Sequence, residues 1–218
     1  MSSCTQLENE GGPEVTIDSE KPSSGGNLIM ASIEPKELNP LRVNSMSFLD
    51  ASKLLFEPLA EYNGSFKLEP VIAQSWEFAG GTSECTVRLK NNINWSDGQP
   101  ITSADVVFSF DTIKSAESSA FKEKLEHVYS YQAVGTDAVK IVFDQVYADA
   151  FDVLTIPIVP SHVFKTDPLA VPVASEPYKI SNYTKLKQLE LVPNDRWIRL
   201  GSVQDSGKAP YIEKITVQ

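Results

Sequence analysis

A tight turn followed at once by a capped helix is the feature that most restricts how this chain can fold. Residues 93–101 carry an Asp-Gly pair, Asp97-Gly98, between two short apolar segments. Asp and Gly tolerate the positive φ angles of tight turns, so the pair predicts the turn of a hairpin. Thr102 and, three positions later, Asp105 form a capping-box pattern, in which each side chain satisfies a free backbone N–H of the other residue. The sequence therefore predicts a reversal of the chain followed directly by a helix.

The remaining predicted elements are short and alternate along the chain. Apolar residues of the capped helix recur at Val106, Phe110 and Ile113, which is the spacing of one helix face. Apolar periodicity bounded by Gly and Pro predicts a buried strand at 27–31, further strands at 70–78, 85–89, 139–143, 178–183, 188–192 and 211–218, and further helices at 47–57, 119–128 and 148–154. Strands interleaved with helices of modest length predict a mixed α/β domain.

The two cysteines stand in unlike surroundings. Cys85 alternates with Val87 and Leu89 in the two-residue period of a half-buried strand, which predicts a core thiol. Cys4 lies near the start of a segment, residues 1–25, that has few large aliphatic residues and several acids. Such a segment buries too little apolar surface to fold, so we expect a disordered tether. A cysteine at the head of such a tether is where the lipid-bearing cysteine of a processed bacterial lipoprotein would lie; an incidental exposed thiol is the alternative.

The charge balance and the missing motifs argue against several functions. Acidic residues number 29 against 19 basic ones, and the net charge of −10 makes nucleic acid an unfavourable partner. His127 and His162 have no cysteine or second histidine at metal-ligand spacing, and no phosphate-binding glycine loop occurs. We therefore expect no metal site, no cofactor and no catalytic residue. Carboxylate pairs are too frequent in so acidic a chain to indicate a glycosidase.

A series of segments in a fixed order carries a resemblance to a known family. The segments are residues 34–35, 38–40, 55–59, 70–76, 87–110, 176–180 and 194–197. The block 87–110 is the most specific of them, and we assign its Trp95 and Asp97 a structural role in the hairpin. In this order the segments resemble the N-terminal part of the family 5 extracellular solute-binding proteins, the peptide- and nickel-binding subunits of ABC importers. One departure is Glu176, which stands where the family usually has glycine.

The resemblance implies a fold of the type II periplasmic-binding-protein kind, a two-lobed clamshell of which this chain is the first lobe. Residues 26–45 and 158–218 would contribute the central sheet of that lobe, and residues 46–157 the α/β subdomain attached to it. The match ends at the strand that precedes the second lobe. We therefore expect the second lobe to be absent from these 218 residues, so that the sequence is an N-terminal fragment.

The function that the resemblance implies is the capture of short extracellular peptides and their delivery to an ABC permease in the membrane. It implies a monomer without enzymatic activity, either anchored at the cell surface through Cys4 or periplasmic. Nickel or another small solute is the alternative ligand within the family. Two further alternatives are a secreted hydrolase that uses a carboxylate or His127, and a protein that keeps the fold but is a complete surface interaction module without transport.

The resemblance also places four residues at the ligand cleft. Glu34 lies in the loop after the first strand, where its carboxylate would meet a peptide amine; a solvated loop acid is the alternative. Ser47 and Phe48 begin the helix that faces this loop, although Phe48 also has the spacing of a core residue. Phe121 falls where some peptide-binding members present an aromatic side chain to the cleft.

Overall fold

The computed structural model describes residues 23–31, 38–43, 46–79, 83–145, 148–185, 187–197 and 210–218. Its strands are β1 (Asn27–Met30), β2 (Ala60–Tyr62), β3 (Leu68–Pro70), β4 (Ala73–Phe78), β5 (Glu84–Leu89), β6 (Val128–Val134), β7 (Ala138–Phe143), β8 (Tyr178–Thr184), β9 (Gln188–Pro193) and β10 (Lys214–Val217). The α-helices are α1 (Met46–Ser52), α2 (Ser103–Ser115) and α3 (Ser161–Phe164), and 3-10 helices span Pro40–Arg42, Glu123–Leu125 and Ala148–Thr155. The chain is thus a mixed α/β protein, as predicted. Within the described ranges, no helix has both the length and the apolar character needed to cross a membrane.

The first sheet pairs an N-terminal strand with a C-terminal one. Its strand order is β1-β10-β9-β8, with β1 parallel to β10 and the other neighbours antiparallel. Leu191 and Ile215, on the inner strands, are buried. On β1, Leu28 is 42% exposed and Ile29 is 60% exposed. The strand predicted at 27–31 is confirmed, but its predicted burial is wrong, because in the described part of the chain β1 lies at the edge of the sheet.

The second sheet is antiparallel, with the order β4-β5-β7-β6, and β2 and β3 form a separate two-stranded ribbon. Helix α2 packs on this sheet, where the ring of Phe110 meets the ring of Tyr131 edge-on with 5.2 Å between centroids. The buried side chains of both sheets form one continuous core. The boundaries of the two predicted units, 26–45 with 158–218 and 46–157, stay a prediction.

The predicted turn and capped helix are both present. Trp95 N–H donates to the carbonyl of Gln99, and Gly98 N–H donates to the carbonyl of Trp95, each at 2.8 Å. Gly98 has a φ of +94°, which glycine adopts without the strain that a side chain would bring. Thr102 and Asp105 form the capping box, and Thr102 N–H donates to Asp105 Oδ2 at 2.8 Å. The reversal and the start of α2 are therefore built from adjacent residues.

Two predicted helices differ from the structure. Helix α1 ends at Ser52, so the predicted helix 47–57 is too long. The predicted helix 119–128 is wrong: a single 3-10 turn occurs within it, and β6 begins at Val128. Strand β6 pairs with β7 from Val128 onward, and this pairing ends the predicted helical segment at that residue.

Buried polar side chains of α2 join this helix to the segment that leads back to the first sheet. Asp105 Oδ1 accepts a hydrogen bond from Ser161 N–H at 2.9 Å. Ser109 Oγ accepts from Val159 N–H at 3.0 Å and donates to the carbonyl of Asp105 at 2.7 Å. Both side chains are buried. We call these contacts the Asp105–Ser109 junction; since a buried N–H must be paired, the junction fixes α2 against residues 159–161.

The Ser109→Ala variant tests the junction. It leaves the buried N–H of Val159 without its acceptor, so we expect the free energy of unfolding to fall by about 1–3 kcal/mol. The matched control is Ser115→Ala, which removes an exposed hydroxyl from the same helix and is expected to cost less than about 0.5 kcal/mol. Urea unfolding followed by circular dichroism measures both values. Equal losses in the two variants would contradict the junction.

Candidate ligand-binding site

The structure describes the predicted cleft residues to different extents. Glu34 lies outside the described residues, as does the predicted lipidation site Cys4. Ser47 and Phe48 belong to the first turn of α1, but their side chains lie outside the described part of the chain. Phe121 is described together with its side chain. The assignment of these residues to a cleft therefore stays a prediction, and only Phe121 has side-chain contacts that bear on it.

Phe121 lies just before the 3-10 turn Glu123–Leu125, at the surface of the core. Its ring is half-buried and packs against the core, and its N–H donates to Ser119 Oγ at 3.2 Å. The ammonium of Lys124 lies 5.8 Å from the centroid of the Phe121 ring, within the range of a cation–π contact. Phe121 is thus an aromatic side chain with one face against the core and a cation beside it.

Lys124 connects this aromatic side chain to two neighbouring elements. Its ammonium donates to Thr155 Oγ1, at the end of the 3-10 helix Ala148–Thr155, and Thr155 Oγ1 donates to the carbonyl of Asp152 at 2.8 Å. Burial lowers the pKa of Lys124; the carboxylate of Asp152 opposes this effect, and the ammonium of Lys53 adds to it. Lys53 directly follows α1, so the end of that helix lies close enough to Lys124 for their charges to interact.

A tyrosine and an aspartate complete the group. Tyr62 OH donates to Asp152 Oδ1 at 2.9 Å. Partial burial raises the pKa of Tyr62, and the carboxylate of Asp152 raises it further. We call Tyr62, Phe121, Lys124, Asp152 and Thr155 the Lys124 cluster. It combines an aromatic face, a half-buried cation and a hydrogen-bonded carboxylate, which are groups able to contact a polar ligand with an apolar part.

A second group forms around the hairpin loop. Asp97 Oδ2 lies 2.8 Å from Nε2 of His162, and Asp97 Oδ1 accepts from Gln99 N–H at 3.0 Å. Ser96 N–H donates to the carbonyl of Ala174 at 2.8 Å, and Ala174 N–H donates to Ser96 Oγ at 3.0 Å. The ring of Trp95 beneath them is fully buried. These contacts confirm the structural role predicted for the turn, and they attach the loop to α3 and to the backbone at Ala174.

Three other segments that carry the resemblance also meet in space. Trp197 Nε1 donates to Glu57 Oε1 at 3.0 Å, and Glu57 N–H donates to Ser175 Oγ at 2.8 Å. Asn194 is buried, and its Nδ2 donates to the carbonyl of Glu176 at 3.0 Å. Glu176, which replaces the usual glycine, takes part in this contact through its backbone. Hydrogen bonds therefore connect the three segments 55–59, 176–180 and 194–197.

The groups with reactive chemistry have ordinary structural roles where they are described. Cys85 is buried in β5, as predicted, and burial raises the pKa of its thiol to about 11. A thiol with such a pKa stays protonated near neutral pH and is a poor nucleophile. His127 contacts Asp144 at 3.2 Å between Nδ1 and Oδ1. Among the described residues, no set of three or more His, Cys, Asp or Glu side chains is arranged to hold a metal ion.

Sequence reasoning missed both the Lys124 cluster and the contact between Asp97 and His162. Lys124 lies 31 residues from Thr155, and Asp97 lies 65 residues from His162. No local pattern indicates either contact, because each of these side chains acquires its partner only when distant segments pack together.

Comparison with known proteins gives one family for most of the chain. The family model of the bacterial extracellular solute-binding proteins, family 5 middle, matches residues 67–218. The oligopeptide-binding protein AppA of Bacillus subtilis is 24% identical over 212 residues, which cover 90% of this chain and 37% of AppA. The chain thus spans well under half the length of this relative.

Solved structures share the fold. The structure of Bacillus subtilis AppA in complex with a nonapeptide aligns with a TM-score of 0.73 and 22% identity, covering 90% of this chain and 40% of that one. The structure of NikZ from Campylobacter jejuni in complex with Ni(L-His) aligns with a TM-score of 0.70 and 23% identity, covering 88% of this chain and 38% of that one. The predicted type II fold is therefore confirmed, and the chain covers a part of the length of these structures.

The Gly98→Ala variant tests the hairpin loop. At a φ of +94° an alanine is strained, and its Cβ would lie 3.0 Å from Arg196 Nη1. We expect the free energy of unfolding to fall by about 1–2 kcal/mol, measured by urea unfolding. The control is Gly135→Ala, where φ is +65° and the Cβ would lie at an ordinary 3.4 Å from Asp137 Oδ1. A loss at Gly98 no larger than that at Gly135 would contradict the close approach of Arg196.

Proposed function

We propose that this chain, which belongs to family 5 of the bacterial extracellular solute-binding proteins, supplies one lobe of a protein that captures short peptides and delivers them to an ABC permease. The family consists of solute-binding proteins, and in keeping with this the proposed activity is binding without turnover. The protein acts as a monomer, and its partners are the peptide and the permease subunits.

The observation that carries the proposal is the match over residues 67–218, together with similarity to AppA along 90% of this chain. AppA is an oligopeptide-binding protein, and its solved structure contains a nonapeptide. A likeness of this extent supports a peptide as the ligand class. It supports no particular peptide length or sequence.

The physical basis of capture is the burial of an extended peptide between two lobes. Backbone hydrogen bonds and a few charge partners hold such a peptide, and closure of the lobes excludes water from it. The proposed contribution of this lobe comes from Glu34, Ser47, Phe48 and Phe121. One open lobe buries too little ligand to offset the loss of translational and rotational freedom, so tight binding requires the complete protein.

The proposed location is outside the cytoplasm. Cys4, at the head of an acidic segment, is the attachment point of a lipid that anchors the protein at the cell surface; a periplasmic form without the lipid is the alternative. The composition of residues 1–25 supports the anchor, since a segment with so few large apolar side chains suits a flexible spacer.

Nickel or another small solute is the second candidate ligand. The observation that favours it is the shared fold with NikZ, whose structure contains Ni(L-His). A peptide and a nickel complex can each be titrated into the complete protein, so one calorimetric experiment distinguishes the two candidate ligands.

Calorimetry on the full-length protein tests the peptide proposal. We expect a mixture of short peptides to give saturable heat, and nickel with histidine to give none. Phe121→Ala is expected to weaken peptide binding by about fivefold, because it removes an aromatic contact worth about 1 kcal/mol. Absence of heat with peptides, together with heat from nickel and histidine, would move the assignment to the second candidate.

Two further variants control for the partial burial of Phe121. Phe121→Leu keeps an apolar side chain against the core while removing the ring, so it should weaken peptide binding without a large change in thermal stability. Phe66→Ala removes an aromatic side chain that is 89% exposed in the ribbon turn, and it should change neither property. Normal peptide affinity in both Phe121 variants would remove Phe121 from the proposed cleft.

Labelling with radioactive palmitate tests the anchor. The complete gene product, expressed in cells that process lipoproteins, should incorporate label and sediment with membranes, and Cys4→Ser should do neither. Cys85→Ala is the matched control, because Cys85 is buried in β5 and inaccessible to lipid transfer. Equal labelling of the wild-type and Cys4→Ser proteins would contradict the proposed attachment.

A further inference from the structure

The ammonium of Lys124 carries a charge that no ion pair among the described residues compensates. The side chain is half-buried, and its contacts are the hydroxyl of Thr155 and the ring of Phe121, both uncharged. No carboxylate of the described residues lies within 4.0 Å of Lys124 Nζ. An ammonium has three N–H donors, and Thr155 accepts from one of them.

The neighbouring carboxylate does not fill this role. Asp152 Oδ1 accepts a hydrogen bond from Tyr62 OH, and its backbone carbonyl accepts from Thr155. Asp152 favours the charged form of Lys124 from a distance, but burial outweighs it, and Lys53 acts in the same direction as burial. Among the residues that the structure describes, Lys124 is thus a partly desolvated cation without an ion-pair partner, which is costly unless an anion approaches.

The surroundings of Lys124 suit a carboxylate that arrives with an apolar body. Charge-assisted hydrogen bonds from an ammonium to a carboxylate are about twice as strong as those between neutral groups. The half-buried ring of Phe121 offers an apolar surface next to the cation. Tyr62 holds the acidic side chain of Asp152 by a hydrogen bond.

We propose that Lys124, Phe121 and Thr155 form a subsite that binds a carboxylate group of the captured solute. The subsite rests on the proposed function in that the solute is held against this lobe. The carboxylate belongs either to the C-terminus of a peptide or to an acidic side chain. Thr155 orients the lysine, and Phe121 packs against the atoms next to the carboxylate.

Carbon-13 labelling of the lysine side chains in the full-length protein tests the subsite directly. The probe is N-acetylglycine, and its neutral counterpart is N-acetylglycinamide. We expect N-acetylglycine to shift the ε-carbon resonance of Lys124 saturably and to raise the pKa of that lysine, because an adjacent anion favours the charged form. The amide should do neither, and the resonances of Lys122 and Lys53 should not saturate. A Lys124 resonance that ignores the acid, or that responds equally to the amide, would overturn the proposal.

Calorimetry with tripeptides identifies the source of the carboxylate. The probes are tri-alanine, tri-alanine amide and Ala-Glu-Ala amide. Lys124→Gln should weaken binding of the probe whose carboxylate occupies the subsite, either tri-alanine or Ala-Glu-Ala amide, about tenfold and leave binding of tri-alanine amide unchanged. Lys122→Gln, at a neighbouring exposed residue, should change the binding of no probe. Dependence of tri-alanine binding on Lys124 assigns the C-terminus, and dependence of Ala-Glu-Ala amide binding alone assigns a side chain.

The two experiments separate failure of the subsite from failure of peptide capture. If wild-type protein binds the three tripeptides but Lys124→Gln binds each of them equally well, the subsite is wrong and peptide capture stands. If no tripeptide binds while N-acetylglycine still saturates Lys124, the subsite stands for small acids and the peptide assignment loses support.

Discussion

The Asp105–Ser109 junction is the contact on which the arrangement of the two sheets depends. It consists of hydrogen bonds from the backbone at 159–161 to two buried side chains of α2. Helix α2 packs on the second sheet, and the chain beyond residue 161 supplies β8, β9 and β10 of the first sheet. Because buried N–H groups have no water to replace a lost acceptor, a shift of α2 against this segment would cost both hydrogen bonds at once.

The hairpin loop around Asp97 and Gly98 is recognisable from local sequence and also contacts distant parts of the chain. Asp97 serves its own turn through one carboxylate oxygen and contacts His162 through the other. Gly98 lies so close to Arg196 that there is little room for a side chain, and Ser96 pairs with Ala174. A segment recognisable from its sequence alone therefore binds two later parts of the chain, at His162 and at Ala174. In the described part of the chain, the residues of this loop that carry the family resemblance thus make structural contacts.

The Lys124 cluster differs from the hairpin loop in how its charged group is paired. In the hairpin loop the carboxylate of Asp97 contacts His162. In the described part of the chain, the contacts of the Lys124 ammonium are an uncharged hydroxyl and an uncharged ring. A folded protein stabilises itself best when buried charges are paired. A half-buried cation that lacks such a pair is therefore more readily understood as part of a binding surface, and its position near the end of α1 agrees with the proposed role of this lobe.

The sequence by itself determined those elements whose determinants lie within a few residues of one another. These are the Asp97-Gly98 turn, the capped start of α2, the buried strand around Cys85, and the family, through the order of its segments. Tertiary structure decided that 119–128 contains a turn and the start of a strand instead of a helix, that β1 has exposed side chains, and that Lys124 meets Thr155. Each of these depends on a partner distant in sequence, because strand pairing, edge position and charge compensation are set by which surfaces meet after folding and not by local periodicity.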